Sequence, residues 1–256
     1  MPDPALPLHG RILLVTGGSS GIGRAIALAA ARSGADVAIT YRANRAGAEA
    51  VAQAIDATGQ RSLVLPFDLT DDASINGLVP ALRGHFGRID AWINNAGADI
   101  LTGDAAAMSR IEKLDLLLTA DLRGTVLASW EAVAMLQAQD EGGVIINMSW
   151  DHVLTGMEGT NPQMYAAVKG GILAFSKGLA RSVAPKIRVN IVAPGWIQTA
   201  FGNGVPEDVH RAVVSSTPLK RWGTPEDVAG AAIYLASPAA AFLTGQTIMV
   251  GGGIVM

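Results

Sequence analysis

The chain has 256 residues, half of them apolar and few aromatic, with a formal net charge of −3. That length suits one large α/β domain, and a nearly neutral chain without a basic block argues against nucleic acid as a partner. There are no cysteines, which excludes disulfides and thiolate chemistry, and His9, His85, His152 and His210 lack the spacing of a metal site.

The start, Met1-Pro2-Asp3-Pro4, has neither the basic region nor the apolar core of a signal peptide, so a cytoplasmic location is expected. An apolar run at residues 12–16 reads as a buried strand, and the Ala-rich segment 21–33 as a helix. Between them lies Thr16-Gly17-Gly18-Ser19-Ser20-Gly21-Ile22-Gly23. A helix N-terminus carries unpaired N–H groups and a partial positive charge, so this turn is suited to phosphate. Glycines at 17, 21 and 23 allow a tight turn and close approach of a ligand. The spacing is G-x-x-x-G-x-G, not the G-x-G-x-x-G of most dinucleotide fingerprints. A dinucleotide is the expected ligand, with Gly17, Ser19, Ser20, Gly21, Ile22 and Gly23 around it.

The second strand is expected at 36–41, followed by Tyr41-Arg42-Ala43-Asn44-Arg45 and a helix at 45–58. An acid at this strand end would bind a ribose 2′-OH, but none is present. Arg42, beside Tyr41, is suited instead to a 2′-phosphate, so NADP(H) is preferred over NAD(H). A third strand at 62–68 ends on Asp68-Leu69, at the expected adenine edge, and a helix follows at 72–86. The fourth, 91–94, runs into Asn94-Asn95-Ala96-Gly97, whose small residues would let backbone pass close to ribose and nicotinamide.

A long helix at 109–139 leads to a strand at 143–148, and a helix at 164–184 opens with Met164-Tyr165-Ala166-Ala167-Val168-Lys169. Spacing i, i+4 puts Tyr165 and Lys169 on one face. A cation one turn away lowers a phenol's pKa, which makes Tyr165 a proton donor and acceptor. A strand at 188–192 precedes a Gly- and Pro-rich stretch, 195–224, expected to be a substrate loop. A helix at 225–236 and a strand at 247–250 complete the chain. The uncharged tail from Val228 to Met256 is interrupted by Pro238 and by Gly251-Gly252-Gly253, so no membrane span is expected. Seven strands alternating with helices imply an α/β fold, a doubly wound parallel seven-stranded sheet flanked by helices, as a single domain over residues 1–256.

In TGGSSGIG (16–23), NNAG (94–97), YAAVK (165–169), IRVNIVAPGWIQT (187–199) and LTGQTIMVGGG (243–253), the chain resembles the short-chain dehydrogenase/reductase family. The resemblance spans Gly10 to Gly253. It implies a Rossmann fold, NAD(P)-dependent oxidoreductase activity, and a homo-oligomer, tetramer or dimer, pairing the helices at 109–139 and 164–184. It also implies Asn95, Ala96, Gly97, Tyr165 and Lys169 along the cofactor, and Pro194, Gly195, Ile197 and Thr199 beside the nicotinamide. Asn190 would sit behind the catalytic helix.

Two departures bear on the chemistry. Family members usually read N-x-S-S at the end of the strand at 143–148, and the second serine polarises the substrate carbonyl. Here the run is Asn147-Met148-Ser149-Trp150-Asp151, with Ser149 one residue early, Asp151 one late, and an insertion before Tyr165. Asp121 stands where the family usually has asparagine, and would hold water or pair with a base. A protonated Asp151 would suit a basic nitrogen, as in pteridine reductases of the family. Otherwise Ser149 would take the usual role.

The expected function is NADPH-dependent reduction of a small carbonyl or C=N compound, with Tyr165 as proton donor and Trp150, Met157, Trp196 and Phe201 as pocket walls. Three alternatives are a pteridine reductase-like enzyme, a non-catalytic NADP(H)-sensing protein, and a 3-oxoacyl carrier-protein reductase. The last would need Arg123, Lys177, Arg181, Lys186, Lys220 and Arg221 as a basic patch.

Overall fold

The computed structural model describes residues 6–200 and 205–256. Its elements run β1 (Ile12–Val15), α1 (Gly21–Arg32), β2 (Asp36–Tyr41), α2 (Arg45–Asp56), β3 (Ser62–Pro66), α3 (Asp72–Asn76), α4 (Leu78–Phe86) and β4 (Ala91–Asn94). They continue with α5 (Arg110–Leu116), a π-helical segment (Leu117–Gly124), α6 (Thr125–Gln137), β5 (Gly143–Met148) and α7 (Thr160–Val183). The chain finishes with β6 (Ile187–Pro194), α8 (Glu207–Ser216), α9 (Pro225–Ala236) and β7 (Thr247–Val250).

All seven strands pair in parallel, in the order β3-β2-β1-β4-β5-β6-β7. Alternate residues of a strand face opposite sides of a sheet, and both sides here are apolar. Leu13 and Val15 of β1 enter the layer with α1, α2 and α9, whereas Ile12 and Leu14 enter the layer with α4, α6 and α7. Strand order reverses between β1 and β4. The crevice at their carboxyl ends is therefore the place for a ligand.

The doubly wound sheet is as expected, but four helical segments differ, one being the helix expected at 109–139, which the π-helical segment Leu117–Gly124 interrupts. The helix expected at 72–86 divides at Gly77 into α3 and α4, because Pro80 has no N–H to offer the Asn76 carbonyl and its ring crowds it. The helix expected at 164–184 starts earlier, at Thr160. Pro162 is tolerated there because first-turn N–H groups have no intrahelical partner. The stretch expected to be a loop at 195–224 contains α8, whose start is rich in acid (Glu207, Asp208), as a helix N-terminus favours.

A buried polar network sets the strand ends. In the β4–β5 register Asn94 lies opposite Asn147. The Asn94 amide donates to Asn147 Oδ1 at 2.9 Å and to Ser129 Oγ on α6 at 3.0 Å, and its oxygen accepts from Trp92 Nε1 at 2.8 Å. Asn147 Nδ2 in turn donates to Ser176 Oγ on α7 at 2.9 Å. Among the described residues, no helix is long and apolar enough to cross a membrane.

Replacing Asn147 by Ala leaves the buried Asn94 amide and the Ser176 hydroxyl short of partners. A loss of about 1–3 kcal/mol is expected, read as a lower denaturant midpoint at unchanged slope. An unchanged midpoint would mean the network is not holding β4 to β5.

Candidate active site

The crevice opens into a cavity of about 820 Å³ at the carboxyl ends of the strands. One end is built by the turn after β1. Gly17 has φ +67° and Gly21 φ +52°, a region that L side chains avoid. A Cβ on Gly23 would collide with the Gly17 carbonyl oxygen, so the turn closes only with glycine there. Ser20 caps α1 in extended conformation without a side-chain hydrogen bond, and no acid lies in the first turn. The first N–H groups of α1 are thus open toward an anion. Ser19, Ser20, Gly21 and Ile22 line this end.

Thr16 and Thr40 hold the turn against its neighbours. The Gly17 N–H donates to Thr40 Oγ1 at 3.0 Å, and the Asn95 and Ala96 N–H groups donate to Thr16 Oγ1 at 3.0 and 2.9 Å. The Asn95 side chain donates to the Thr16 carbonyl at 3.0 Å. Asn95 therefore clamps β4 to β1 as well as lining the cavity with Ala96 and Gly97.

Arg42 is exposed at the rim and, among the described residues, makes no salt bridge within 4.0 Å, whereas Arg45 pairs with Glu49 at 2.7 Å. Asp68, beside Leu69, accepts from the Thr70 N–H and hydroxyl at 2.8 and 2.7 Å. Burial works against its charge, but those bonds and the nearby Arg42 hold it below the usual carboxylate range.

The other end centres on α7. Lys169 is 5 % exposed, and its Nζ lies 5.3 Å from the centroid of the Tyr165 ring and 2.9 Å from Asp121 Oδ2. Asp121 belongs to the π-helical segment, and its Oδ1 accepts from the Ala98 N–H at 2.6 Å. Burial opposes the charge of Lys169, but Asp121 and Tyr165 outweigh it and raise the lysine further above its ordinary value. Burial pushes the Tyr165 phenol up, Lys169 pulls it down, and Asp121 and Asp99 push it up again. The balance stands above the ordinary tyrosine value.

After β5 the chain turns sharply. Ser149 is 4 % exposed and donates its hydroxyl to the Lys169 carbonyl at 2.9 Å. Trp150 is partly exposed and lines the cavity. The Asp151 carboxyl is fully buried, with Oδ1 accepting from the His152 N–H at 2.7 Å and lying 2.6 Å from His152 Nδ1. Among the described residues its Oδ2 has no hydrogen-bond partner, and it packs where a Cβ on Gly195 or Gly251 would sit.

From β6, Pro194, Gly195, Ile197 and Thr199 line the cavity, with Trp196 and Met157 among its walls. Trp196 lies 5.2 Å from Trp222, which stacks on His210 of α8 at 5.0 Å. Phe201, expected as a wall, lies outside the described residues.

A family model described as Enoyl-(Acyl carrier protein) reductase matches residues 17–255. The chain is 36% identical to the 3-oxoacyl-[acyl-carrier-protein] reductase FabG of Escherichia coli, covering 97% of this chain and 98% of that protein. It is 37% identical to an uncharacterized oxidoreductase of Methylorubrum extorquens, covering 96% and 98%. A short-chain dehydrogenase/reductase from Serratia marcescens has a TM-score of 0.87 at 33% identity, covering 98% of this chain and 100% of that one. A 7α-hydroxysteroid dehydrogenase in complex with NADH and a 7-oxo bile acid has a TM-score of 0.89 at 27% identity, covering 100% and 98%.

The chain belongs to the short-chain dehydrogenase/reductase family. It is an oxidoreductase.

Apart from Asp151, the expected site residues all come together around one cavity. Asp151 departs from the expectation: its carboxyl is fully buried against His152, Gly195 and Gly251 and is not part of the cavity lining, so it does not face a substrate nitrogen. Ser149 lines the cavity, but its hydroxyl already donates to the Lys169 backbone carbonyl. Nor does Lys169 leave the phenol below its ordinary value, because burial and Asp121 outweigh its charge. Sequence reasoning missed Asp99, Ile100, Met148 and Asn161 of the lining. Asn161 stands four residues before Tyr165, and the early start of α7 is what puts it on that face.

Asp121→Asn removes an anion that raises Tyr165 yet keeps an oxygen for the Ala98 N–H. While Lys169 stays charged, the phenol should titrate lower than in the unaltered protein. Tyrosinate absorbance, assigned by difference against Tyr165→Phe, measures this among the three tyrosines. A midpoint that stays in place would mean the phenol is not coupled to the buried pair.

Proposed function

We propose that the protein is an NADPH-dependent reductase of a small, uncharged carbonyl compound, with Tyr165 as proton donor. The observation that carries this reading is the Tyr165 phenol at the cavity, beside the buried Lys169–Asp121 pair. A phenol raised above its ordinary value is fully protonated near neutral pH, the state a donor needs.

The glycine turn and the open end of α1 fit a dinucleotide pyrophosphate, and Arg42 fits a 2′-phosphate. Tyr41, Asp68, Leu69, Asn95 and Thr199 would flank the remainder. When bound, the reduced nicotinamide supplies a hydride. Tyr165 gives its proton to the carbonyl oxygen as negative charge develops there, and Lys169 stabilises the phenolate that results. Asp121 balances Lys169, so the buried group carries no net charge before the proton leaves.

Among the described residues, the charged side chains lining the substrate end are Lys169, Asp121 and Asp99, and the only cation of the three is already paired. A carboxylate substrate would find no free partner. The walls, Ile100, Met148, Trp150 and Met157, favour an apolar molecule.

The names of the relatives favour one second reading, a ketone carried on an acyl carrier protein. Against it, four of the six candidate docking cations are already engaged. Arg123 binds Asp72, Arg221 binds Asp227, and Lys186 and Lys220 donate to the carbonyls of Gln137 and Ser215. Ile111, Leu118 and Trp130 expose apolar surface along α5, the π segment and α6, which supports the expected homo-oligomer.

The test is NADPH oxidation with small ketones, cyclic imines and an acetoacetyl carrier protein. Ketone turnover should fall about 100-fold or more in Tyr165→Phe. Turnover confined to the carrier-bound ketone would replace the small-ketone reading, and turnover of imines alone would defeat both.

A separate measurement checks the cofactor. Arg42→Asp should weaken NADPH binding about tenfold or more while NADH binding holds or improves. Equal effects on the two would remove Arg42 from 2′-phosphate recognition.

A further inference from the structure

Of the side chains Ser149, Trp150 and Asp151 that follow β5, one combines cavity exposure with an uncommitted proton. The Ser149 hydroxyl is given to the Lys169 carbonyl. Asp151 is fully buried against His152, Gly195 and Gly251. Trp150 lines the cavity, and among the described residues no hydrogen bond takes up its indole N–H.

The indole is also held firmly beside the proton donor. Its ring lies 5.4 Å from that of Tyr165, inclined at 67°. On its other contact it stacks on His152 at 4.9 Å and 21°, and Asp151 fixes His152 through Nδ1. The unusual Asp151 thus braces a histidine, and the histidine braces the tryptophan. A carbonyl oxygen has two lone pairs, and Tyr165 protonates one. A second donor fixed in advance stabilises charge that develops on that oxygen. An indole N–H suits this role because it only donates and stays neutral.

We propose that Trp150 is a catalytic residue, its indole N–H donating to the carbonyl oxygen that Tyr165 protonates. This rests on the carbonyl reductase reading. It explains how a site whose neighbouring serine and aspartate are both committed still polarises a carbonyl. Its bulk beside Tyr165 also narrows the site toward flat substrates.

The experiment observes the indole itself. Proton–nitrogen correlation spectra of the five tryptophans are recorded on Tyr165→Phe protein with NADP⁺, and Trp150→Phe identifies the Trp150 signal. Acetophenone should move that indole proton downfield, whereas ethylbenzene, which lacks the oxygen, should not. An unmoved signal overturns the proposal and leaves the role to Asn161, which also lines the cavity. Equal shifts with both probes also overturn it and make Trp150 a wall.

In the otherwise unaltered enzyme, Trp150→Phe should lower kcat/KM for a ketone by about tenfold to 100-fold at unchanged NADPH affinity. Trp150→Ser should recover part of the loss through its hydroxyl. Full activity in Trp150→Phe would overturn the proposal. A protein that turns over no ketone while the indole shift persists would instead defeat the reductase reading and leave Trp150 as the carbonyl's donor.

Discussion

The site depends on one buried ion pair, Lys169 with Asp121 at 2.9 Å. Two charges leave water in forming it, which is unfavourable unless their remaining hydrogen-bonding capacity is met. Here it is met in part by the Ala98 N–H, which binds the second Asp121 oxygen. The pair therefore joins α7, the π-helical segment and the loop after β4. Breaking it by removing one partner would leave an uncompensated charge, a loss of about 3–5 kcal/mol in comparable cases. The π-helical segment is part of the device. It brings Asp121 to the loop and the lysine at once, and irregular turns of this kind often mark functional positions. Because the lysine charge is already balanced, burial dominates the nearby phenol and keeps it protonated.

Around that pair, positioning falls to buried polar groups rather than to apolar packing alone. Thr16 receives the N–H groups of Asn95 and Ala96, so the β4 loop is anchored to the turn after β1. Asn94 and Asn147 bond across β4 and β5 and reach α6 and α7 through Ser129 and Ser176. Apolar layers on the two faces of the sheet give stability without direction. Hydrogen bonds at the strand ends supply the direction, and it is at those ends that the ligand cavity opens.

Alternating apolar runs made the seven strands and most helices legible, because period and burial in a parallel sheet leave a strong pattern. The glycine turn was legible for a steric reason, since residues 17, 21 and 23 tolerate no Cβ or need positive φ. What the sequence concealed was the direction in which side chains point. Asp151 and Ser149 were equally close in sequence to the expected position, and only the turn after β5 buries one and commits the other. The pairing of Asp121 was half legible: an acid near a base was an expectation, but which base depended on the π-helical turn. Tyr165 was read with Lys169 alone, and the opposing effects of burial and Asp121 needed the three-dimensional arrangement. α8 stayed hidden because it is short, lies between Gly and Pro residues, and buries only Val213.

The cavity is electrically divided, and the division follows from which charges are already spent. At the end beside the glycine turn, Arg42 makes no salt bridge among the described residues and the start of α1 is uncapped by a side chain, so that end attracts anions. At the opposite end Lys169 is neutralised by Asp121, and Asp99 adds a carboxylate close enough to raise Tyr165. A phosphate-bearing molecule therefore has one favourable orientation, with its anionic part toward α1 and its neutral part toward Tyr165. On the proposed function, the same asymmetry would disfavour a second anion at the end beside Tyr165. Orientation of one ligand thus depends on both ends of the cavity, and the aspartate at position 121 sets the charge at only one of them.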